Sequence, residues 1–290
     1  MDRLCALLAG GLFVGVLTAE TPAQTVYRSG VDLVYVTATV VDRDGRFVAG
    51  LTADDFVVSE EGRRQPIVSF SAVRVPVSLG IALDVSGSML PPRIDTARAA
   101  IRRLVNDLLG ADDELFFAVF ERRMSLLQEW TSDRGVFRRA LDRAKVGGTT
   151  ALYDAVQGLL PVVESGSHDK KALLVVSDGD DRASQTSEKR LQQIVRRSEV
   201  LVYALGVDDG SGVNARSLRR FTDDTGGRTE VVNGFKNLDT ATSRLADELN
   251  RQYQLAYVMP SARDGRWHPI KVEVRKRGVV VRARSGYVRH

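Results

Sequence analysis

An α/β fold, with a mainly parallel sheet covered by helices on both faces and a small all-β region contributed by the two ends of the chain, is what this sequence predicts. Three observations carry the prediction. Between residues 76 and 250, short apolar runs such as VSLGIALD, ELFFAVF, KALLVVSDG and VLVYALGVD alternate with amphipathic stretches of helical period, the pattern of strands buried on both faces and covered by helices. The flanks on either side read as β alone. The chain has 290 residues, 43% of them hydrophobic and 27% charged, which suits one large globular domain or two modest ones.

Taken in order, the chain begins with Arg3 followed by an apolar run from Leu4 to Ala19 and a small-residue exit at Thr21-Pro22-Ala23. This is the layout of an export signal over residues 1–23, and the run is shorter than the ~20 residues a spanning helix needs. An exported chain, periplasmic or extracellular, is the expectation. The one cysteine, Cys5, lies inside that segment, so no disulfide and no cysteine-built zinc site is expected in the mature chain. Three scattered histidines, His168, His268 and His290, make a histidine-built site equally unsuitable.

Residues 24–75 form an N-terminal β segment: VDLVYVTATVVD alternates apolar with small or polar residues, Asp42-Arg-Asp-Gly45 is a turn, and DFVVSEEGRRQPIVSF repeats strand, turn and strand. The α/β region follows over 76–250. Its helix RIDTARAAIRRLVNDLL places Ile94, Ala97, Ile101, Leu104, Val105 and Leu108 on one face and basic residues on the other. Further helices are expected in DRGVFRRALDRA, ALYDAVQGLLPVVE, SEKRLQQIVRRSE, NARSLRRFTDDTGG and NLDTATSRLADELN. Residues 251–290 return to β in QYQLAYVMP, HPIKVEVRK and GVVVRARSGYV. Two end pieces too short to bury a face alone most simply pair with each other as a β-sandwich.

Chemistry concentrates where strands end. GIALDVSGSM is apolar until Asp84, Ser86 and Ser88, and ALLVVSDG ends in Asp178. Ligands of open α/β sheets bind beyond the carboxyl ends of strands, so both carboxylates are expected on one edge. GGTTALYDAV sets Thr149 and Thr150 just before a helix, where a hydroxyl faces the same crevice or caps the helix. Two carboxylates and three hydroxyls make an all-oxygen shell that suits Mg²⁺ or Mn²⁺ and suits zinc poorly. Such a shell nearly neutralises the ion and leaves a position for a carboxylate oxygen from a protein partner. Taken singly, each motif is an ordinary turn or helix cap; their joint order is what points to a site.

DVSGSM, GGTTALYD and VVSDG resemble the metal-ion-dependent adhesion site (MIDAS) of the von Willebrand factor A fold, a Rossmann-like sheet shared with integrin inserted domains, over roughly Val77 to Asn250. The resemblance implies metal ligands at Asp84, Ser86, Ser88, Thr149 and Asp178, with Thr149 preferred because the family's ligand Thr directly follows the loop glycine. Thr150 is then a neighbour or helix cap, and Asp180 and Tyr153 stand at the rim or behind the ligands. Ser177 stands where many members have Thr, a change expected to matter little. The β flanks look like the VWFA-related family known from Acidobacteria, which implies β segments around the A domain.

Enzyme readings fit less well. An Asp nucleophile would need a second Asp where Ser86 stands, VSGSM is not a Gly-x-Ser-x-Gly elbow, and GIALDVSGSM lacks phosphate-loop glycine spacing. The expected function is a divalent-metal-dependent, adhesion-type protein-binding module that is not an enzyme; an envelope scaffold with a structural metal is the alternative, and a metal-dependent hydrolase a weaker one. From Arg251 to His290, ten Lys or Arg stand against two Asp or Glu. This excess can attract an anionic envelope surface, although a solvated strand face is the simpler reading. Nucleic acid is not expected, because no aromatic residues interleave for stacking.

Overall fold

The computed structural model describes residues 32–260 and 264–289. The expected export segment, 1–23, lies outside the described residues. In chain order the strands and helices are β1 (Leu33–Asp42), β2 (Phe56–Glu60), β3 (Arg63–Gln65), β4 (Ile67–Ser71), β5 (Val77–Asp84), α1 (Arg93–Arg103), β6 (Glu114–Phe120), β7 (Met124–Thr131), α2 (Arg134–Arg143) and α3 (Leu152–Glu164). Then follow β8 (Lys170–Ser177), α4 (Glu188–Arg197), β9 (Leu201–Asp208), α5 (Ala215–Thr222), β10 (Thr229–Asn233), α6 (Leu238–Asn250), β11 (Tyr253–Val258), β12 (Trp267–Val274), β13 (Val279–Ala283) and β14 (Gly286–Val288).

A six-stranded sheet in the order β10-β9-β8-β5-β6-β7 forms the centre. All of its pairings are parallel except β6 with β7, an antiparallel edge. Alternation along the strands divides the core. Leu79, Ile81 and Leu83 of β5 join Ala172 and Leu174 of β8 under α1, α2 and α6. Ala82, Leu173 and Val175 face α3, α4 and α5. Every residue of β5 is buried, as expected of a strand covered on both faces. Gly80 is required there: a Cβ at this position would fall on the Phe116 ring. Gly80→Ala is expected to lower stability by about 1–3 kcal/mol through overpacking, read as a shift in the urea midpoint at unchanged slope.

Strand β10 was not expected from the sequence. TEVVN is only five residues long and its burial alternates, so its periodicity is too short to stand out; parallel pairing with β9 makes it a strand.

The remaining strands form two four-stranded sheets, β13-β1-β11-β4 and β14-β12-β2-β3. Both interleave strands from before and after the α/β region. β1 is bonded antiparallel to β11 on one side and β13 on the other, and β2 pairs with β12. Val34, Val36, Ala38, Val40, Phe56, Val58, Tyr253, Leu255, Tyr257, Ile270 and Tyr287 share their core. Inside it the Glu60 carboxylate is buried, paired with Arg289, and accepts a hydrogen bond from the Tyr257 hydroxyl at 2.7 Å. This satisfies the rule that buried charge needs a partner.

Several C-terminal basic residues are therefore occupied. Arg289 pairs with Glu60, Arg282 with Glu248, and Arg284 donates to the Gly286 carbonyl at 2.8 Å. Arg275, Lys276 and Arg277 remain exposed between β12 and β13. Polar bonds also join the sheets: the Gln252 side-chain amide donates to Tyr203 Oη on β9 at 3.0 Å and to Thr39 Oγ1 on β1 at 3.2 Å.

Candidate metal site

The sheet's strand order reverses at β5. Its successor β6 lies on one side, and β8, reached later in the chain, lies on the other. Such a switch point opens a crevice beyond the carboxyl ends of the two strands. Asp84 ends β5, Ser177 ends β8, and Asp178 follows it directly.

Three loops meet there. After Asp84 the chain turns sharply, and Asp84 Oδ1 accepts a hydrogen bond from the Ser86 backbone N–H at 2.9 Å. The glycine loop is bonded to this turn twice, by Gly147 N to Val85 O at 2.7 Å and Gly87 N to Gly148 O at 2.9 Å. Gly148 has φ +84°, and a Cβ on it would strike the Glu121 carboxylate, so the loop needs glycine there. The loop after β8 is then bonded to the glycine loop, because the Thr150 carbonyl accepts from the N–H groups of Arg182 and Ala183, each at 2.9 Å.

The side chains divide by environment. Asp84, Ser86, Ser177 and Asp178 are buried, while Ser88 and Thr149 are half-buried. Asp84 Oδ2 accepts from Ser177 Oγ at 2.7 Å, and that hydroxyl in turn accepts from Gly179 N at 3.0 Å. Burial pushes the Asp84 carboxyl up to about 6, against the lowering effect of the Ser86 and Ser177 hydrogen bonds, with the Asp178 charge adding to the rise. Removing a carboxylate from water disfavours its charged form, and a cation beside it would reverse that.

Whether these residues fit a cation can be tested on the serines. Ser86 Oγ and Ser88 Oγ are 3.1 Å apart. Two neighbouring ligands of an octahedral ion bound at about 2.0–2.1 Å lie about 2.9 Å apart, so the pair already spans nearly one edge of such a shell. All donors are oxygens, which suits a hard cation. The fit is good. Among the described residues there is no cluster of three or more His, Cys, Asp or Glu poised to hold a metal, so any ion here would depend on hydroxyls as well as carboxylates.

The expected supporting residues have other duties. Thr150 does not cap α3; the N-cap is Ala151, without a side-chain bond. Asp181 supplies that service from the neighbouring loop, accepting from Leu152 N at 2.8 Å and from Ser184 Oγ at 2.6 Å. Asp180 pairs with Arg182 at 3.2 Å, and its N–H donates to Asp178 Oδ1 at 3.1 Å. Tyr153 Oη lies 3.0 Å from Ser217 Oγ, bracing α3 against α5. Asp154 accepts from the N–H groups of Gln185 and Thr186, each at 2.8 Å.

One residue of the site was missed. Arg93, at the start of α1, is only 6% exposed and donates to Asp178 Oδ2 at 2.9 Å and the Ser88 carbonyl at 3.1 Å. Its signal was in the sequence: positions 93, 97 and 101 recur every four residues, so an arginine stands on the apolar stripe of the helix, where a charge needs a buried partner.

Comparison with known proteins agrees with this fold. The sequence model of the von Willebrand factor type A domain matches residues 79–180. An uncharacterized protein of Synechocystis sp. is 26% identical over 140 residues, 47% of this chain and 33% of that protein. The chain spans a third or less of the length of the curated relatives it matches. A solved von Willebrand factor type A structure from Catenulispora acidiphila is similar with a TM-score of 0.54 at 12% identity, over 90% of this chain and 76% of that one. Proximal thread matrix protein 1 from the mussel byssus, solved with a zinc-occupied MIDAS motif, has a TM-score of 0.51 at 15% identity, over 66% of this chain and 49% of that one. At these identities the structural likenesses speak to the fold. Together with the matched segment, which contains all three motif loops, they establish that the chain carries a von Willebrand factor type A domain.

Proposed function

We propose that the chain is an exported protein-binding module of the adhesion type, which holds a divalent cation at Asp84, Ser86, Ser88, Thr149 and Asp178 and uses it to capture a carboxylate oxygen from a protein partner. The observation that carries this reading is the hydroxyl pair Ser86–Ser88, set 3.1 Å apart beside the buried Asp84 at the sheet's switch point. When bound, the cation would act as a Lewis acid toward an anionic oxygen. This chain's residues do the rest. Asp84 balances charge, Ser177 fixes its second oxygen, and the glycine loop brings Thr149 to the rim.

Binding is favoured over hydrolysis because both Asp84 oxygens already accept hydrogen bonds. The described histidines lie elsewhere, His168 beside Ser78 at the opposite end of β5 and His268 in β12. Hydrolysis would need a free proton acceptor at the site. Export rests on the N-terminal sequence; no helix among the described residues is long and apolar enough to cross a membrane.

The all-oxygen donor set favours Mg²⁺ or Mn²⁺, and the zinc in the mussel protein's site makes Zn²⁺ the natural third arm of the test. Calorimetric titration of the wild type with each ion is expected to show one site. Ser86→Ala, which removes one edge of the shell, is expected to weaken it by about tenfold or more, the order of one lost charge-assisted contact. Equal binding by wild type and variant overturns the site. Pull-down of envelope proteins with Mg²⁺ and then with EDTA tests the partner: retention in both conditions favours a scaffold instead.

A further inference from the structure

Both carboxylates of the site are buried, yet they are satisfied in different ways. Asp84 is held by neutral donors alone, the Ser86 N–H and the Ser177 hydroxyl. Each oxygen of Asp178 is also taken, but one of its donors is a cation: Oδ1 accepts from Asp180 N at 3.1 Å, and Oδ2 from Arg93 Nη1 at 2.9 Å. Arg93 is fixed from its other side as well. Its Nη2 donates to Ser211 Oγ at 2.6 Å and to the Gly212 carbonyl at 2.7 Å, and its Nε lies 3.2 Å from Asp209 Oδ1. That loop is held in shape by its own bonds, Asp208 Oδ1 accepting from Gly210 N at 2.8 Å and from Gly212 N at 3.0 Å. The guanidinium therefore has a rigid seat between two loops and little freedom to move off Asp178.

The geometry points to Arg93 as a built-in counter-cation that occupies Asp178, would hold it back from a divalent ion at the site and so lowers the site's affinity for that ion. This rests on the cation-binding reading above and adds to it the device that sets charge. The charges follow directly. Asp178 and Arg93 cancel, which leaves Asp84 as the one buried carboxylate facing a doubly charged ion, and Asp209 at the rim is more exposed and better screened. A site with two free carboxylates would neutralise the ion by itself and gain little from a third. With one of them balanced internally, the loaded site gains from a further anion.

The consequence has an unusual sign. Loss of a residue with only a structural role weakens ion binding, whereas loss of Arg93 should strengthen it, because Asp178 is released to coordinate and a positive charge leaves the site. Mn²⁺ alone is the probe, titrated by calorimetry into the full chain, with water-proton relaxation reporting the water left on the bound ion. Arg93→Gln is expected to bind Mn²⁺ at least about tenfold more tightly than wild type, the least expected from removing a neighbouring like charge, and to lose water from the ion. The double variant Arg93→Gln with Asp178→Asn removes the buried ion pair as a unit and leaves only the partly exposed Asp209 without its cation, so it serves if the single variant does not fold. It is expected to bind Mn²⁺ no more tightly than wild type, because the carboxylate that loss of Arg93 would release is gone. Equal or weaker binding by a folded Arg93→Gln, or a double variant that binds about tenfold or more tightly than wild type, overturns the assignment of Arg93 alone. Absence of Mn²⁺ binding in the wild type would instead overturn the cation reading on which it stands.

Discussion

Asp84→Asn is expected to abolish cation binding and, in EDTA at pH 7.5, to make the protein more stable than wild type. Burial raises the Asp84 carboxyl from its ordinary 3.8 to about 6 in the folded chain. A raised folded-state value means that the folded protein binds more protons than the unfolded one between about pH 4 and pH 6. Stability attributable to this group is therefore greatest below the lower value and is lost as pH rises through the upper one. Two pK steps correspond to about 3 kcal/mol, carried as a penalty above pH 6. Asparagine removes that penalty, but it offers one acceptor where Asp84 uses two, toward Ser86 N and Ser177 Oγ. A net gain of about 1–2 kcal/mol is expected after that loss, which for a domain of this size is about 2–6 °C in Tm.

Thermal melts of both proteins at pH 4.0 and 7.5, in EDTA and in saturating Mg²⁺, check this. The variant should lead only at pH 7.5 and only in EDTA, because in Mg²⁺ the wild type regains stability through binding and the variant does not. A variant less stable than wild type in EDTA at pH 7.5 would mean that the hydrogen bonds of Asp84 outweigh its desolvation, and that the carboxylate is kept for the fold.

What could be read from the sequence and what could not differ in a physical way. The α/β order was legible because strands such as VSLGIALD and ALLVVS are buried on both faces and long enough to show it. Asp84, Ser86, Ser88, Thr149 and Asp178 were legible as candidates because each follows a strand or precedes a helix, where backbone direction alone sets the edge it faces. The supporting contacts were not. Ser177 looks interchangeable in sequence, yet its hydroxyl holds the second oxygen of Asp84 from a strand 93 residues away. Asp181 looks like an ordinary loop carboxylate in sequence, yet it accepts from the first N–H of a helix that begins 29 residues earlier. Arg93 was not singled out from a helix whose basic residues were expected on the polar face, although it stands on the apolar one and meets Asp178, 85 residues on. Each of these contacts depends on the distance between loops after packing, which local periodicity does not encode.

Truncation after Asn250 is expected to separate the two halves of the molecule's behaviour. It removes β11 to β14, and with them both neighbours of β1, one of the two partners of β2, and the partner of β4. What remains of those two sheets is the short β2–β3 pairing, and an isolated hairpin is marginal in water at best. Val34, Val36 and Val40 of β1 lose their shared core with Leu255, Tyr257 and Ile270. At about 1.5–3 kcal/mol for each buried side chain, those three valines alone forfeit more than a lone strand can replace. Residues 33–71 should then lose all amide protection and become the first site of proteolysis, and the exposed valines should make the protein prone to aggregate. The six-stranded sheet keeps every one of its strands and both of its helix-covered cores, and all the proposed ligands lie within it, from Asp84 to Asp178. Mg²⁺ affinity should therefore stay within about threefold of the full chain, as for any sites far apart without shared partners. Hydrogen exchange mapped along the chain, together with calorimetry on the same sample, decides the matter. Amides of β1 that stay protected would show that the N-terminal strands stand without the C-terminal ones. A lost ion site would show that the sandwich braces the crevice, a coupling for which the Gln252 bonds to Tyr203 and Thr39 would be the first route to examine.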